Sequence, residues 1–490
     1  MKAKKLTFTA LAALMAISAF AGCKQDDYTN DPTTWESLQS GEVVQITFAG
    51  RDVDSEKVNY QNFVNEFNMY NDQIVVDLEW WSDTTAYNTA LDGMGKNLPD
   101  VFMLTNQKFL SYAAAKKVAD IKDHLSEGVL SGLYNDGYEV YYFDHTTKTV
   151  GKSANAALYG LPKDQGPVAL CINEDLLKEK VQAYNATALE DIDLDKIMST
   201  SEPMKFSYFL EIGEKLKTVM GQNQYVCSGY DLQSIVYSNN ANFFTDDTAK
   251  TSAIDSANFI GAMEFIQNMY KKGILPSAGT VSSGAETVFT SGNAIFYYAA
   301  PYKTKDYWQS CNFDWDLLPV LCGDADGAVS TAYVGGMCYA ISANCKYKDA
   351  ALKFVEYLAT NTSSQRTQYK RGQCIPNLIS LADEYINDSL ELMEMESGKT
   401  CPTNRGVWID VINGVSNTDK ITGRYCAESF TYNNSWYSYL NTFMSGQTGT
   451  YGSFWEEKNG SWVNIGEALR SYKPENQAEL TSLYDILQAI

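Results

Sequence analysis

The chain has 490 residues, and its 60 Asp and Glu against 38 Lys and Arg give a net charge of −22. This acidity argues against nucleic acid and anionic lipid surfaces as partners, because both repel a negatively charged protein. Only two histidines occur, His124 and His145, which disfavours a multi-histidine metal centre or a histidine-based catalytic triad. We therefore predict neither a metal site nor a cofactor.

The first residues have the form of an export signal. Three lysines precede an apolar stretch, 6–22, that is shorter than a membrane span of about 20 residues. Cys23 follows Ala-Gly and resembles the lipidated cysteine of bacterial lipoproteins, although Phe20 stands where these usually carry Leu. The alternative is an ordinary cleaved signal with a chance cysteine. Removal of 1–22 would change the net charge from −22 to −25. Lipid would then be the only membrane anchor, and the protein would work outside the cytoplasm.

The rest of the chain alternates between predicted strands and helices. Residues 23–41 are polar and aperiodic, which predicts a flexible tether. Beyond them, strand and helix patterns alternate, as in a parallel sheet with helices packed on its faces, and the length favours two α/β lobes. Strands are predicted at 43–48, 74–78, 101–104, 169–173, 294–298 and 337–341, and helices at 58–69, 87–94, 109–119, 175–180, 207–219, 260–272 and 348–359.

The cysteine content gives no disulfide pattern. Nine of the ten cysteines remain once Cys23 is assigned to lipid, and no Cys-x-x-Cys occurs. An odd number without paired spacing favours buried free thiols. The sequence is also compatible with one or two disulfide bonds.

Several short phrases occur in an order that resembles the extracellular solute-binding proteins of ABC sugar importers, the family of maltose-binding protein. They extend over 42–470, which makes a chance match of their order rare. The phrases are Leu98-Pro99-Asp100-Val101, Leu158–Pro162 with Asn173–Leu177, Phe289–Ala294, Phe313–Asp316 with Leu318-Pro319, Ala340–Ser342 with Lys348–Leu358, Gly372–Pro376, Tyr439-Leu440 with Met444–Gly446, and Ala468-Leu469.

This resemblance implies a two-lobed α/β fold of the periplasmic-binding-protein type, with a ligand cleft between the lobes. It also implies a monomeric receptor that captures a sugar or oligosaccharide and delivers it to an ABC transporter permease, without catalysis. The chain would cross between lobes near 162–166, 328–334 and 373–377. The lobes would comprise 42–162 plus 334–374 and 166–328 plus 377–490.

Candidate ligand contacts on the first lobe follow predicted strands, where side chains open into the cleft of α/β proteins. Arg51 and Asp52 suit hydrogen bonding to sugar hydroxyls, or else form a solvated turn. Trp80 and Trp81 should point to opposite faces, so one can stack on a sugar ring and Trp81 is the candidate; the alternative places both in the core. Three further polar candidates are Asp83, Asn106 and Asp164, the last of which matches a polar ligand contact of the family.

Candidate contacts on the second lobe are aromatic, acidic or glycine residues in loops. Tyr302 follows Pro301 where the family usually reads Gly-Pro-Trp, and it keeps a stacking face. Gly335 belongs to a glycine pair that resembles one through which backbone approaches the ligand. Trp436 matches a stacking tryptophan of the family, the alternative being a core residue. Tyr230, Asp231 and Arg371 complete the set.

Two other functions stay open at the level of sequence. One is a surface glycoside hydrolase that uses two carboxylates, although no local catalytic motif occurs. The other is an adhesin or sensor that binds a glycan without transporting it.

Overall fold

Two α/β units are present in the part of the chain that the structure describes. The computed structural model describes residues 35, 38, 41–52, 54–245, 250–277, 284–387, 402–414, 418–422, 436–448 and 451–489. The export signal, Cys23 and most of the predicted tether lie outside these residues.

Thirteen strands lie in the described residues. They are β1 (Val44–Arg51), β2 (Ile74–Trp81), β3 (Val101–Thr105), β4 (Tyr142–Asp144), β5 (Thr149–Val150), β6 (Ala157–Leu158), β7 (Leu161–Pro167), β8 (Ala169–Asn173), β9 (Tyr225–Cys227), β10 (Ala294–Ala299), β11 (Trp315–Leu318), β12 (Ser330–Ile341) and β13 (Thr418–Thr422).

The α-helices of the described residues pack around these strands. They are α1 (Asp54–Tyr70), α2 (Thr84–Gly93), α3 (Asn106–Ala114), α4 (Asn135–Glu139), α5 (Glu174–Asn185), α6 (Leu194–Ile197), α7 (Phe206–Lys217), α8 (Leu232–Ser238), α9 (Ala257–Lys271), α10 (Ala285–Thr290), α11 (Thr304–Ser310), α12 (Lys348–Thr360), α13 (Thr362–Lys370), α14 (Ala382–Asn387), α15 (Gly406–Asn413), α16 (Trp436–Met444) and α17 (Ile465–Ala489). Short 3₁₀ turns occur at Gly95–Asn97, Leu130–Gly132, Pro301–Lys303 and Ile379–Leu381.

The first lobe is built on a six-stranded sheet with the order β13-β12-β3-β1-β2, in which β7 also pairs with β12. Strand β1 is parallel to both β2 and β3, which confirms the predicted parallel arrangement. Val44, Ile46 and Phe48 are buried at every second position of β1, so the alternation of the sequence sets which face meets the core. A separate, small three-stranded sheet with the order β5-β4-β6 is formed by residues between β3 and β7.

The second lobe is built on a four-stranded sheet with the order β11-β8-β10-β9. Its centre is β8, all five residues of which are buried because the strand is covered on both faces. Strand β8 runs antiparallel to β10 and β11, whereas β9 and β10 are parallel. The second sheet is therefore mixed, which the strand and helix order alone did not predict.

The chain passes between the two sheets at places close to the first two predicted crossings. Strand β7 ends in the large sheet at Pro167, and β8 begins in the smaller sheet at Ala169. The return lies between Leu318 and Ser330. Strand β12 then pairs first with β13 and afterwards with β3. The exact lobe boundaries stay predictions.

One predicted helix is shorter in the structure than its pattern suggested. The helix expected over 109–119 ends at Ala114, because Lys116 takes a positive φ of 54° and Val118 then bridges to Ser342 of the sheet. Apolar residues after the turn are buried by this strand-like contact instead of by a helical face.

The prediction of buried free thiols is confirmed for the seven cysteines that the structure describes. Cys401 and Cys426 lie outside the described residues. Among the helices described, none is both long enough and apolar enough to cross a membrane.

Candidate functional site

Arg51 and Asp52 lie where β1 ends, beside the end of β2. Arg51 pairs in register with Trp81, and its guanidinium donates to Thr84 Oγ1 at 2.7 Å and to Met337 Sδ at 3.3 Å. The backbone N–H of Asp52 donates to the carbonyl of Trp81 at 3.2 Å. Both residues are half-buried at this end of the sheet.

The two adjacent tryptophans of β2 point to opposite faces, which confirms the alternation argument. Trp80 packs over Gly50 and lies 5.4 Å from the ring of Tyr60, while its indole N–H donates to the Asp52 carbonyl at 3.1 Å. Trp81 lies 5.5 Å from the ring of Tyr87 on the other face. Each indole is half-buried.

Asp83 and Asn106 lie at the first turns of neighbouring helices. Asp83 is the N-cap of α2, and its Oδ1 accepts the Ala86 N–H at 2.6 Å. Asn106 is the first residue of α3 and is buried, with Thr105 as the N-cap before it. The structure therefore gives Asp83, which was predicted as a ligand contact, a role in helix capping.

Asp164 belongs to a buried group of charges that sequence reasoning missed. Its Oδ1 accepts the Met337 N–H at 3.0 Å and its Oδ2 lies 2.8 Å from Lys163 Nζ. Lys163 Nζ lies 3.6 Å from Glu56 Oε2. Burial raises the pKa of Glu56 to about 7, against the lowering effect of Lys163. A lysine adjacent to the candidate aspartate was the only signal of this group in the sequence.

Tyr302 is the most exposed of the aromatic candidates, at 59%. It lies in the 3₁₀ turn Pro301–Lys303, and Lys303 Nζ is 3.0 Å from Glu286 and 3.8 Å from Asp306. Lys303 adjoins Tyr302 in the chain, whereas Glu286 and Asp306, which sequence reasoning also missed, are brought there by α10 and α11.

Asp52, at the end of β1, acts electrostatically on the charged groups near Tyr302. Desolvation raises the pKa of Asp306, and the charges of Glu286 and Asp52 raise it further, whereas Lys303 lowers it. Asp52 belongs to the first lobe and Asp306 to the second. Carboxylates of the two lobes therefore lie close enough to interact electrostatically.

Tyr230 and Asp231 lie in a loop of the second lobe, directly after Gly229, where a Cβ would lie 2.9 Å from Ala285 of α10. Asp231 is the N-cap of α8 and accepts the Ser234 N–H at 2.7 Å, and burial raises its pKa. The ring of Tyr230 lies 6.4 Å from that of Trp455, which in turn lies 5.9 Å from Tyr270. Trp455 is half-buried in this aromatic group, and no local pattern in the sequence singled it out.

Gly335 lies opposite Gly166 in the pairing of β12 with β7. The close approach that the structure shows at this glycine pair is to the neighbouring strand, since a Cβ on Gly336 would lie 2.8 Å from the Asp164 carbonyl oxygen. Arg371 is the C-cap residue that follows α13, and the carbonyl of the next residue, Gly372, accepts the Lys305 N–H of α11 at 3.2 Å.

Trp436 lies in the core and not at a surface that can meet a ligand. Only 2% of the residue is exposed, its indole N–H donates to the Asn476 carbonyl at 3.3 Å, and its ring lies 5.0 Å from that of Phe244. Packing of α16 against α17 encloses the indole. The expected stacking role is thus replaced by the alternative, a core tryptophan.

The structure brings Arg51, Asp52, Trp81 and Asp164 together, and Asp164 interacts electrostatically with Tyr302 of the second lobe. Tyr230 and Asp231 lie in a loop beside α10, and Trp436 lies in the core. Among the described residues, no group of three or more His, Cys, Asp and Glu side chains is arranged to hold a metal ion. What remains is a surface of carboxylates, a guanidinium and aromatic rings, which suits hydrogen bonding and stacking.

The sequence matches the profile of a known family, bacterial extracellular solute-binding protein, over residues 62–393. A curated relative, the maltooligosaccharide ABC transporter solute-binding lipoprotein of Streptococcus pneumoniae, is 23% identical over 292 residues. That match covers 59% of this chain and 62% of the relative, so the chain spans about three fifths of the length of the curated relatives it matches.

Solved structures share the fold at low identity. MalE from Xanthomonas citri gives a TM-score of 0.63 at 16% identity, covering 91% of this chain and 99% of the other. Lmo0181 from Listeria monocytogenes in complex with cycloalternan gives 0.62 at 16%, covering 89% and 99%. UgpB from Mycobacterium tuberculosis in complex with glycerophosphocholine gives 0.65 at 15%, covering 91% and 99%.

These likenesses agree with the two-lobed α/β architecture described above, and at such identities they show the fold alone. The family profile, in contrast, matches well over half of the chain. The protein therefore belongs to the family of bacterial extracellular solute-binding proteins.

Proposed function

We propose that this protein captures a sugar or oligosaccharide between its lobes and delivers it to an ABC transporter permease. The observation that carries the proposal is the polar and aromatic surface at the ends of β1 and β2, which faces the Tyr302 turn. Arg51, Asp52 and Asp164 supply a donor and acceptors for hydroxyl groups. Trp81 and Tyr302 supply apolar faces for sugar rings.

Capture by both lobes requires a closed arrangement. The candidate contacts belong to the two sheets, so a solute that touches both favours the conformation in which they approach. Asp164 already accepts two hydrogen bonds, but a carboxylate has about four acceptor positions, so it can bind a hydroxyl as well. No covalent chemistry is needed for this activity.

The lobes and the anchor complete the proposal. The first lobe comprises 42–162 plus 334–374, and the second comprises 166–328 plus 377–490. Lipid on Cys23 holds the monomeric receptor at the outer side of the cell membrane, near its permease. Mass spectrometry of protein recovered from membranes tests the anchor, because replacement of Cys23 by Ser should remove both the lipid mass and membrane attachment.

The solute class is drawn from the site together with the relatives. The Streptococcus relatives are named for maltooligosaccharides, and glucose-based oligosaccharides are therefore the first solutes to test. UgpB shares the fold and was solved with glycerophosphocholine, so this compound is the matched non-sugar solute.

Titration calorimetry of the soluble protein against both kinds of solute tests the proposal. We expect micromolar binding of an oligosaccharide, about −8 kcal/mol, and no binding of glycerophosphocholine. Tyr302→Ala should weaken binding about tenfold or more through loss of stacking, whereas Tyr70→Ala, at a tyrosine 74% exposed on the end of α1, should not. Binding of glycerophosphocholine but of no glycan would contradict the sugar assignment.

The two alternatives differ from transport in what becomes of the solute. A hydrolase shortens a labelled oligosaccharide, whereas a receptor returns it intact after denaturation. An adhesin or sensor binds the glycan but leaves uptake unchanged when its gene is deleted. Loss of glycan uptake on deletion, with intact recovery of the ligand, is the result that the proposal requires.

A further inference from the structure

Strand β7 contains a β-bulge close to the place where the chain changes sheet. Pro162 pairs with Cys338 and Asp164 pairs with Met337, so Lys163 is an extra residue between two paired positions. A bulge bends its strand and increases the local twist. The first connection between the lobes is therefore bent a few residues before β7 ends.

Three buried charges hold this bend. Lys163 Nζ lies 2.8 Å from Asp164 Oδ2 and 3.6 Å from Glu56 Oε2, and only 3% of the Lys163 side chain and 7% of the Glu56 side chain are exposed. The other oxygen of Asp164 accepts the Met337 N–H at 3.0 Å, at the bulge itself. The lysine thus links helix α1 of the first lobe to the strand that leaves it.

Buried amides tie the same bend to the segment near the third predicted crossing. Asn377 Nδ2 donates to the carbonyl oxygens of Pro162 at 3.1 Å and Lys163 at 2.7 Å. Asn59 Nδ2 of α1 donates to Gln373 Oε1 at 2.9 Å. Neither asparagine is exposed. A shift of the bulge would therefore change the backbone position at both connections.

Glu56 is the member of the group that can change its charge near neutral pH. Burial raises its pKa to about 7; Asp52 and Asp164 raise it further, and Lys163 lowers it. Burial acts to lower the pKa of Lys163, but the surrounding carboxylates outweigh it and hold that pKa well above its usual range, so the lysine stays charged. The titratable groups that interact with Glu56 are Lys163, Asp164, Asp52, Tyr60 and Cys374.

We propose that Glu56, Lys163 and Asp164 form a proton-linked latch, in which a proton taken up by Glu56 favours the closed arrangement of the lobes. Closure moves the two connections relative to each other, and Asn377 joins them at the carbonyl oxygens of Pro162 and Lys163. Displacement of the Lys163 ammonium from Glu56 favours the neutral form of Glu56, because that positive charge is what lowers the pKa of its carboxyl. By linkage, closure takes up a proton and a lower pH favours closure.

The latch rests on the proposed function only where an experiment uses a solute. Closure of the lobes can also be measured without a solute. Met69 and Leu189, exposed by 66% and 105% on the first and second lobe, are suitable positions for cysteine-linked fluorophores. The seven cysteines that the structure describes are buried. The labelled full-length chain carries Met69→Cys and Leu189→Cys, with Ser replacing Cys23, Cys401 and Cys426.

Energy transfer between these labels should report a shorter mean distance at about pH 6 than at about pH 8. Glu56→Gln, which mimics the neutral carboxyl, should give the short distance at both values. Glu79→Gln, at an exposed glutamate of β2, should behave as the parent. A parent distance that does not respond to pH, or a Glu56→Gln protein that still responds, overturns the latch.

Calorimetry with a maltooligosaccharide at about pH 7, in two buffers of different ionisation enthalpy, gives a second readout. The parent should take up a fraction of a proton on binding and bind about threefold to tenfold more tightly at the lower pH, and Glu56→Gln should show neither effect. If no glycan binds but the distance still follows pH, the sugar function fails and the latch stands. If a glycan binds without proton uptake and the distance is constant, the latch fails and the function stands.

Discussion

At the scale of single residues, similar side chains have different roles because their surroundings differ. The same reasoning about stacking on sugars made both Trp81 and Trp436 candidate ligand contacts. Trp81 ends a strand beside Arg51 and is half-buried, whereas Trp436 is enclosed by two helices. The identity of a tryptophan says that it has a flat face and an N–H donor, but only its neighbours decide whether a ligand can reach that face.

Trp436→Ala and Tyr302→Ala should therefore have opposite effects. Loss of the buried indole should lower the free energy of unfolding by about 3–5 kcal/mol while the folded molecules keep their affinity for the solute. Loss of the exposed ring should change stability by less than about 0.5 kcal/mol and weaken binding. Urea denaturation and calorimetry of both variants check this, and weaker binding by folded Trp436→Ala would contradict the core assignment.

His145 should make the protein less stable in mild acid. Burial lowers its pKa to about 4, and its Nε2 lies 3.0 Å from the Tyr159 hydroxyl. The unfolded chain binds a proton at this histidine near its ordinary value of about 6.5, so stability falls as the pH drops from there to about 4. His145→Gln should lose less stability than the parent between urea titrations at about pH 7 and pH 4.5. The exposed His124, replaced by Gln, is the matched control; an equal response of both variants would exclude His145.

At the scale of elements, the pairing of β7 with β12 decides how the lobes are joined. Gly166 lies opposite Gly335, and Gln165 lies opposite Gly336, beside the bulge at Lys163. Strand β12 pairs with β13 before the glycines and with β3 after them. Its apolar run predicted a strand at 337–341, but the sequence did not show that the strand begins seven residues earlier, because that part is stabilised by partners far away in the chain.

The two glycines of β12 should differ in their tolerance of a methyl group. A Cβ on Gly336 would lie 2.8 Å from the Asp164 carbonyl oxygen, whereas a Cβ on Gly335 would have Tyr333 Cε1 at 3.5 Å as its nearest atom. Gly336→Ala should cost about 1–3 kcal/mol of unfolding free energy and shift solute affinity, because the two connecting strands must separate. Gly335→Ala should stay within about 0.5 kcal/mol. Equal effects of the two substitutions in urea denaturation would show that strand separation is not involved.

At the scale of the whole molecule, the lobes are joined to each other and to the N-terminal segment by specific contacts. The polar tether was predicted over 23–41. Within it, Trp35 stacks on His124 with ring centroids 3.9 Å apart, and Leu38 packs against the core of the first lobe. At these two described positions the segment is attached to the fold.

Trp35→Ala should release this attachment. We expect faster proteolytic cleavage before Glu42 in the variant, with an unchanged melting temperature of the two lobes, because the stacked pair contributes only about 0.5–1.5 kcal/mol. His124→Ala removes the other ring and should have the same effect, and the double variant should be no worse than either. If cleavage in both single variants matches that of the parent, the contact does not hold the segment.

Much of the fold could be predicted from the sequence because local signals agree along the chain. Alternating burial in β1, the apolar run of β8 and the order of strands and helices follow from side-chain polarity at fixed spacing. The short phrases that resemble the solute-binding family added the prediction of two lobes. Candidate ligand contacts at Arg51, Asp52, Trp81 and Tyr302 came from the rule that cleft residues follow strands, and their role in binding stays a prediction.

Charge, composition and periodicity thus determined by themselves the α/β class, the parallel strands around β1, the seven buried thiols and the absence of any histidine-rich motif. The tertiary structure alone decided that Trp436 is core, that the second sheet is mixed, and that Glu56 and Lys163 meet Asp164. The physical reason is distance along the chain. Local patterns record which side chains avoid water, but the partner of a buried charge or the cover over a ring is supplied by segments a hundred or more residues away.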